Sequence, residues 1–277
     1  MHSKGSKYPD FKWAFSTLGC PELSLDEICA VAREFGLSFL EVRAVEGQLD
    51  LPKLFSDQFS NAEALNQYLH DRELNICCLD TSLKLVENEA DDRRAFLEFL
   101  PWADAIESPY LRVFDGGTVA GGLDDPSYAK AMDTLEWWHR EKETGGWNVE
   151  IAIETHDCLV HTKSCQRLLA NYPDLRFIWD THHTWKKGND SIENSWNQLR
   201  QNTCSVHIKD SISQPSSQHP FTYVNLGDGE FPLSSTLDLL MENQFRGYVT
   251  IEWERLWHPY LTNISDALTR AKDLNWF

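Results

Sequence analysis

Apolar, β-prone runs of five to eight residues alternate with helical stretches along this chain, and that alternation limits its fold more than any other feature. The runs cover residues 11–18, 39–43, 75–79, 110–114, 149–154, 175–180, 204–209 and 248–252. Between and after them the spacing predicts helices over 24–35, 61–72, 91–105, 126–142, 161–171, 190–199, 233–243 and 263–274. The first is sharply delimited. Ser24 and Glu27 form a capping box, Leu25, Ile28, Cys29, Ala32 and Phe35 share one face, and Gly36 is a stop signal. Such alternation implies a parallel sheet with helices outside it. Eight units in 277 residues fit a closed (β/α)8 TIM barrel, an α/β fold in a single domain. An open doubly wound sheet would carry a glycine-rich turn after its first strand, and the turn from Ser16 to Pro21 is not one. Residues 1–10 read as a flexible leader and 11–277 as the barrel. The stretch 211–232, rich in Ser, Pro, Gly and His, reads as a long loop.

Composition narrows the partners. Hydrophobic residues at 42% and charged residues at 25% are ordinary for a soluble globular protein. A net charge of −18 repels phosphate backbones, which disfavours nucleic acid, and most of it belongs to a solvated surface. The seven cysteines are odd in number and lack CxxC spacing, so free thiols in a reducing compartment are expected. The first residues have no apolar core of a signal peptide, and no apolar run has membrane-spanning length. The expectation is a cytoplasmic protein with no membrane partner.

Four runs end in a metal-type side chain: Glu154, Asp180, His207 and Glu252. In a barrel the C-terminal strand ends share one mouth, where active sites sit. Three carboxylates and an imidazole suit one divalent ion. Manganese is the first choice, with magnesium, cobalt and zinc open, since no thiolate fixes zinc. A metal between two glutamates would polarise a carbonyl and its neighbouring hydroxyl. One glutamate removes the α-proton, the enediolate is held, and the other glutamate returns the proton. That is epimerisation or aldose–ketose isomerisation of a sugar or sugar phosphate, with Glu154 and Glu252 as both ligands and acid/base pair.

Around them lie further candidates. His183 faces the same mouth and is assigned to a substrate oxygen, against the plainer use of a ring bonded to a backbone carbonyl. Lys209 shares a side with His207 and would neutralise an oxyanion or phosphate, or else pair with Asp210. Glu41 and Arg43 share the inner face of the second strand, where charges need each other or a ligand. Arg112 and Asp115 are similar. Trp13, Phe114, Trp179, Trp185, Trp253 and Trp257 would wall a sugar site or simply pack. Trp137 and Trp138, on an outer helix, offer an apolar contact for a homo-oligomer.

These residues carry a resemblance. Phe15-Ser-Thr-Leu-Gly-Cys20, Phe39-Leu-Glu-Val-Arg43, Ile153-Glu-Thr-His156, Trp179-Asp-Thr-His-His183, Val206-His-Ile-Lys-Asp210, Leu226-Gly-Asp-Gly-Glu230 and Ile251-Glu-Trp-Glu254 resemble motifs of the xylose-isomerase-like TIM-barrel superfamily, the sugar phosphate isomerase/epimerase group. The resemblance covers nearly the whole chain. It implies that Glu154, Asp180, His207 and Glu252 bind one metal, that the two glutamates exchange the proton, and that His183 contacts substrate. His156, from the third motif, joins the candidate substrate contacts. The arginine that ketose 3-epimerases of this group use beyond the metal histidine has no match here, and Lys209 is the nearest cation. The resemblance also admits a lyase or dehydratase acting on a keto-sugar or keto-inositol, of the inosose dehydratase or 3-keto-glycoside lyase type. Endonuclease IV belongs to the same superfamily, but its extra histidines are replaced here by Asp80-Thr81 and Phe114-Asp115, so a trinuclear DNA-repair site is not expected. A sugar-binding barrel without catalysis would have no use for an intact glutamate pair.

Overall fold

The computed structural model describes residues 5–277. Seven strands follow one another: β1 (Lys12–Ser16), β2 (Phe39–Val42), β3 (Asn75–Lys84), β4 (Tyr110–Phe114), β5 (Glu150–Glu154), β6 (Arg176–Asp180) and β7 (Thr203–Ile208). A short antiparallel hairpin, β8 (Asp210–Ile212) with β9 (Thr222–Val224), precedes β10 (Tyr248–Ile251). The eight longer or paired runs close into a parallel barrel in the order β1-β10-β7-β6-β5-β4-β3-β2. β5 and β6 are buried along all but their first residue, as befits parallel strands covered on both faces. The closed single-domain α/β barrel expected from the alternation is the fold observed.

Helices α1 (Leu25–Phe35), α2 (Leu51–Gln58), α3 (Ala62–His70), α4 (Ala90–Leu97), α5 (Leu100–Ala105), α6 (Asp125–Gly145), α7 (Thr162–Leu169), α8 (Thr181–Lys186), α9 (Ile192–Leu199), α10 (Leu233–Glu242) and α11 (Ile264–Asp273) surround it. Ser24 and Glu27 do form a capping box at α1, and Gly36 ends it in the left-handed region at φ 71°. The single helix expected over 91–105 is two. Pro101 has no N–H to give and crowds the carbonyl four residues back, so it stands in the first turn of α5 instead. α2 was not expected, although Asp50 caps it and Pro52 occupies its first turn. α8 was not expected either, and it begins where Asp180 ends β6.

Three further expectations are corrected. Residues 1–4 of the supposed leader lie outside the described residues, but the part that follows them is tied down. Lys7 N–H donates to the Asn275 carbonyl at 2.7 Å, Tyr8 is 1% exposed, and its hydroxyl donates to Asp238 at 2.7 Å. Trp137 and Trp138 are not an outer contact: both are buried, edge-on to Phe96. The expected loop 211–232 contains a short hairpin, Asp210–Ile212 with Thr222–Val224, that brings Tyr223 to His183. All seven cysteines are buried and unpaired. Among the described residues no helix is long and apolar enough to cross a membrane.

Candidate metal centre

Glu154 ends β5, Asp180 ends β6, His207 lies one residue before the end of β7, and Glu252 follows β10. Strand register sets Asp180 level with His207, and Thr250, two residues before Glu252, level with His207 on the other side. One ligand atom of each of the four lies within 4.8 Å of the others, so the group could hold a metal ion. All four are buried. His207 Nδ1 is 3.6 Å from Glu154 Oε1 and 3.3 Å from Glu252 Oε2. Across the ring, His207 Nε2 is hydrogen-bonded to Glu41 Oε2 at 2.8 Å. Burial opposes a charge on His207, but Glu252 and Glu41 outweigh it and raise its affinity for protons well above the ordinary range. The ring therefore gives Nε2–H to Glu41 and turns Nδ1–H toward the two glutamates, and a cation entering there would take the place of the Nδ1 proton. That Nδ1 is buried and has no hydrogen-bond partner among the described residues. Asp180 caps α8 with Oδ1, which accepts from His183 N–H at 2.7 Å, and so presents Oδ2 to the cluster.

Cations interleave with these carboxylates. Lys209 Nζ is 2.7 Å from Asp180 Oδ2 and donates to both Glu252 and Glu254. Arg112 lies over the Phe114 ring, 3.6 Å from Glu154 and 3.4 Å from Asp80. Arg43 donates to the Ser82 hydroxyl at 2.8 Å and to the Asp80 carbonyl at 3.4 Å. Around this mouth stand six carboxylates (Glu41, Asp80, Glu154, Asp180, Glu252, Glu254) and three permanent cations, Arg43, Arg112 and Lys209. With His207 an imidazolium beforehand and neutral once an ion replaces its Nδ1 proton, the formal excess of negative charge falls from two to one when a divalent cation enters. Buried charge of one sign costs several kcal/mol per uncompensated group, so the donor set fits such an ion in charge as well as in chemistry.

The surroundings split the carboxyl groups. Burial and Glu252 both oppose ionisation of Glu154, but His207 and Arg112 outweigh them and hold it at about 2. Burial likewise opposes ionisation of Glu252, and His207 with Lys209 holds it well below the usual carboxylate range. Burial pushes Asp80 up to about 7, reinforced by Glu41. Burial also keeps His183 neutral far below its ordinary range, with Lys187 adding to the effect.

The structure brings most of the expected residues together. His183 sits against the cluster, with Nδ1 3.1 Å from Asp180 Oδ2 and Nε2 3.5 Å from the Tyr223 hydroxyl. His156 packs edge-on to His183 at 4.7 Å and pairs with Asp157 at 3.0 Å. Lys209 does not pair with Asp210, whose carboxylate instead accepts four backbone N–H groups. Glu41, expected to meet Arg43 or a substrate, is engaged by His207 on the far side of the ring from the glutamates. Asp115 accepts backbone N–H groups of His156, Asp157 and Leu159. Of the aromatic residues, Trp13, Trp179 and Trp253 are packing, whereas Trp257 is exposed.

Asp80, Glu254 and Tyr223 were missed. The signal for Asp80 was present, since the run Ile76-Cys-Cys-Leu79 leads into a metal-type side chain as the other four do. Glu254 stands two beyond Glu252 as Lys209 stands two beyond His207, so alternation would have put it on the same side. Tyr223 comes from the distant β9, and nothing local announces it.

The chain matches the family model described as xylose isomerase-like TIM barrel over residues 29–275. No curated protein matches it in sequence. Among solved structures it is similar to the probable 3-DHS dehydratase AsbF of Bacillus anthracis, involved in petrobactin synthesis. They share 18% identity over 95% of this chain and 98% of that one, with a TM-score of 0.77. A D-tagatose 3-epimerase-like protein shares 18% identity over 95% of this chain and 96% of its own, with a TM-score of 0.68. The IOLI protein, whose structure has a bound zinc atom, shares 16% over 95% and 96%, with a TM-score of 0.65. At these identities the likeness speaks for the fold alone. Matched across most of its length, the chain belongs to the xylose isomerase-like TIM barrel family.

Proposed function

We propose that this protein is a divalent-metal-dependent enzyme that moves a proton α to a carbonyl in a sugar or sugar phosphate, as an isomerase or epimerase. The convergence of Glu154, Asp180, His207 and Glu252 on one buried point carries the proposal. These four would hold the ion. When bound, a divalent cation supplies the Lewis acidity that makes the proton beside a carbonyl labile. The chain supplies the rest. Glu154 and Glu252 lie on β5 and after β10, on either side of His207 in the barrel order, so a substrate between them meets a carboxylate on each face. Both are held ionised, so either can accept a proton. His183, Tyr223 and His156 wall the mouth and offer polar contacts to substrate oxygens.

Dehydration is the second reading, and Lys209 favours it. An ammonium in contact with Glu252 but not with Glu154 makes the two carboxylates unequal. One then suits proton removal and the other, beside a proton-rich amine, delivery to a departing hydroxyl. Return of the proton to the opposite face of the same carbon, or to the adjacent carbon, needs no such asymmetry.

Solvent deuterium wash-in tests both. With metal present, candidate ketoses, aldoses and keto-acids should exchange one carbon-bound proton. Glu154→Gln and Glu252→Gln should each slow exchange by at least ~100-fold, the usual scale of acid/base catalysis. Release of water without exchange into recovered substrate selects dehydration. A panel in which nothing exchanges or dehydrates ends the proton-transfer proposal.

A further inference from the structure

Three cationic side chains are buried in this molecule among the described residues: Arg43, Arg112 and Lys209. Arg112 has two carboxylates at ion-pair distance and Lys209 has three. Arg43, only 4% exposed, has none. The sequence placed Glu41 on the same face, two residues away, as its natural partner, but that carboxylate is bonded to His207 instead. Arg43 is left with two neutral acceptors, the Ser82 hydroxyl and the Asp80 carbonyl, and its Nε is buried without any partner. Burial, joined by the neighbouring positive charge of Arg112, lowers its affinity for its proton to about 10.

A guanidinium has five N–H donors in a planar fork and does not give up its charge readily. Held in a barrel with no carboxylate at ion-pair distance and one N–H unpartnered, it destabilises the fold in a way that packing alone does not require. Its place gives it a use. Arg43 directly follows β2, at the same end of the barrel as the candidate metal centre, within electrostatic reach of Asp80 and Glu154. The metal-side carboxylates gather on β5, β6, β7 and after β10, while Arg43 stands on the opposite arc of the barrel.

We infer that the substrate is an acid: a polyhydroxylated carbonyl compound whose carboxylate or phosphate is bound by Arg43 while its reacting end lies at the metal centre. This rests on the proposed function and sharpens it from sugars in general to anionic ones. A neutral ketohexose would leave the guanidinium without a directly paired anion, whereas an oxyanion would supply that pair and a partner for the free Nε–H. The bidentate fork matches either kind of oxyanion.

The test compares acid and neutral partners of the same carbon skeleton by calorimetric binding to manganese-loaded protein. Galacturonate against galactose probes a carboxylate, ribulose 5-phosphate against ribulose probes a phosphate, and inorganic phosphate probes the anion alone. The wild type is expected to bind one acid at least ~10-fold tighter than its neutral partner, and the preferred pair names the anion. Arg43→Gln should abolish that preference and leave the neutral partner and the metal content unchanged. Stability supplies an independent readout. Removing an unpaired buried charge should leave Tm unchanged or raise it, whereas a purely structural Arg43 would lower it. A wild type with no acid preference, an Arg43→Gln variant that keeps the preference, or a clear fall in Tm with unaltered binding overturns the inference. Acid preference that depends on Arg43 in a protein that exchanges no proton would uphold the anion site and reject the reaction instead.

Discussion

At the scale of single residues, the four candidate ligands were legible because each ends an apolar run, and a strand end in a barrel has only one mouth to enter. What was not legible is which charge serves which. Glu41 is 166 positions from His207, and no local pattern could pair them. That bond fixes the ring's tautomer, so Glu41→Ala should weaken binding of manganese or zinc by about 10–100-fold in a calorimetric titration, the usual effect of losing such a support. Glu41→Gln, which still offers an oxygen to Nε2, should lose less. Equal affinity in all three proteins would remove Glu41 from the centre. Asp80 permits a prediction about pH. Its carboxyl is raised to about 7 by burial and by Glu41, so the native state binds this proton more tightly than the unfolded chain does. Its contribution to stability is therefore full below the ordinary carboxylate range and is lost as pH rises toward and through about 7. Denaturant unfolding at pH 5 and pH 8 should show Asp80→Asn gaining on the wild type at the higher pH. A constant difference between the two proteins would contradict it.

At the scale of elements, the barrel strands were readable from composition and length, since strands buried on both faces are continuous apolar runs. Short pieces set by a cap or a tertiary contact were not. α8 exists because the Asp180 side chain caps it, and a six-residue helix has no periodicity to read. The hairpin β8–β9 is similar. Its polar, glycine-bearing sequence looks like a free loop, but Asp210 gathers it by accepting N–H groups of Ser211, Gly227, Gly229 and Phe231 at 2.8–3.0 Å. The approach is so close that a Cβ on Gly229 would fall 2.1 Å from the Asp210 carboxylate. This hairpin brings Tyr223 to His183. Asp210→Ala should leave those donors unsatisfied, cost at least about 2 kcal/mol, and raise amide exchange across 211–232 while the strands stay protected. Uniform exchange throughout the chain would mean that the hairpin is integral to the barrel and not a separately held cover.

At the scale of the whole molecule, two features join residues the sequence keeps apart. Residues 7–13 pack against residues 275–276 on the outer face of β1, with Trp13 stacked on Trp276 at 5.8 Å and Lys7 bonded to Asn275. Contacts across almost the full chain leave no trace in local pattern, which is why those first residues read as a leader. The top is charged beyond its own means, with six carboxylates around three permanent cations in an already acidic protein. Folding must gather that charge whether or not an ion is there. A divalent cation that binds only the folded chain should therefore act as a stabiliser. At 100 times its dissociation constant it contributes about 2.7 kcal/mol, which for a chain of this size is a rise in Tm on the order of 5 °C. Chelation should reverse the rise. Glu252→Ala should abolish it at equal metal concentration, while Trp276→Ala, far from the mouth, should lower Tm and keep the metal-dependent increment. If neither manganese, cobalt, zinc nor magnesium shifts the melting of the wild type, the convergence of these four side chains is not a metal centre. The excess charge would then have to be met by protons alone.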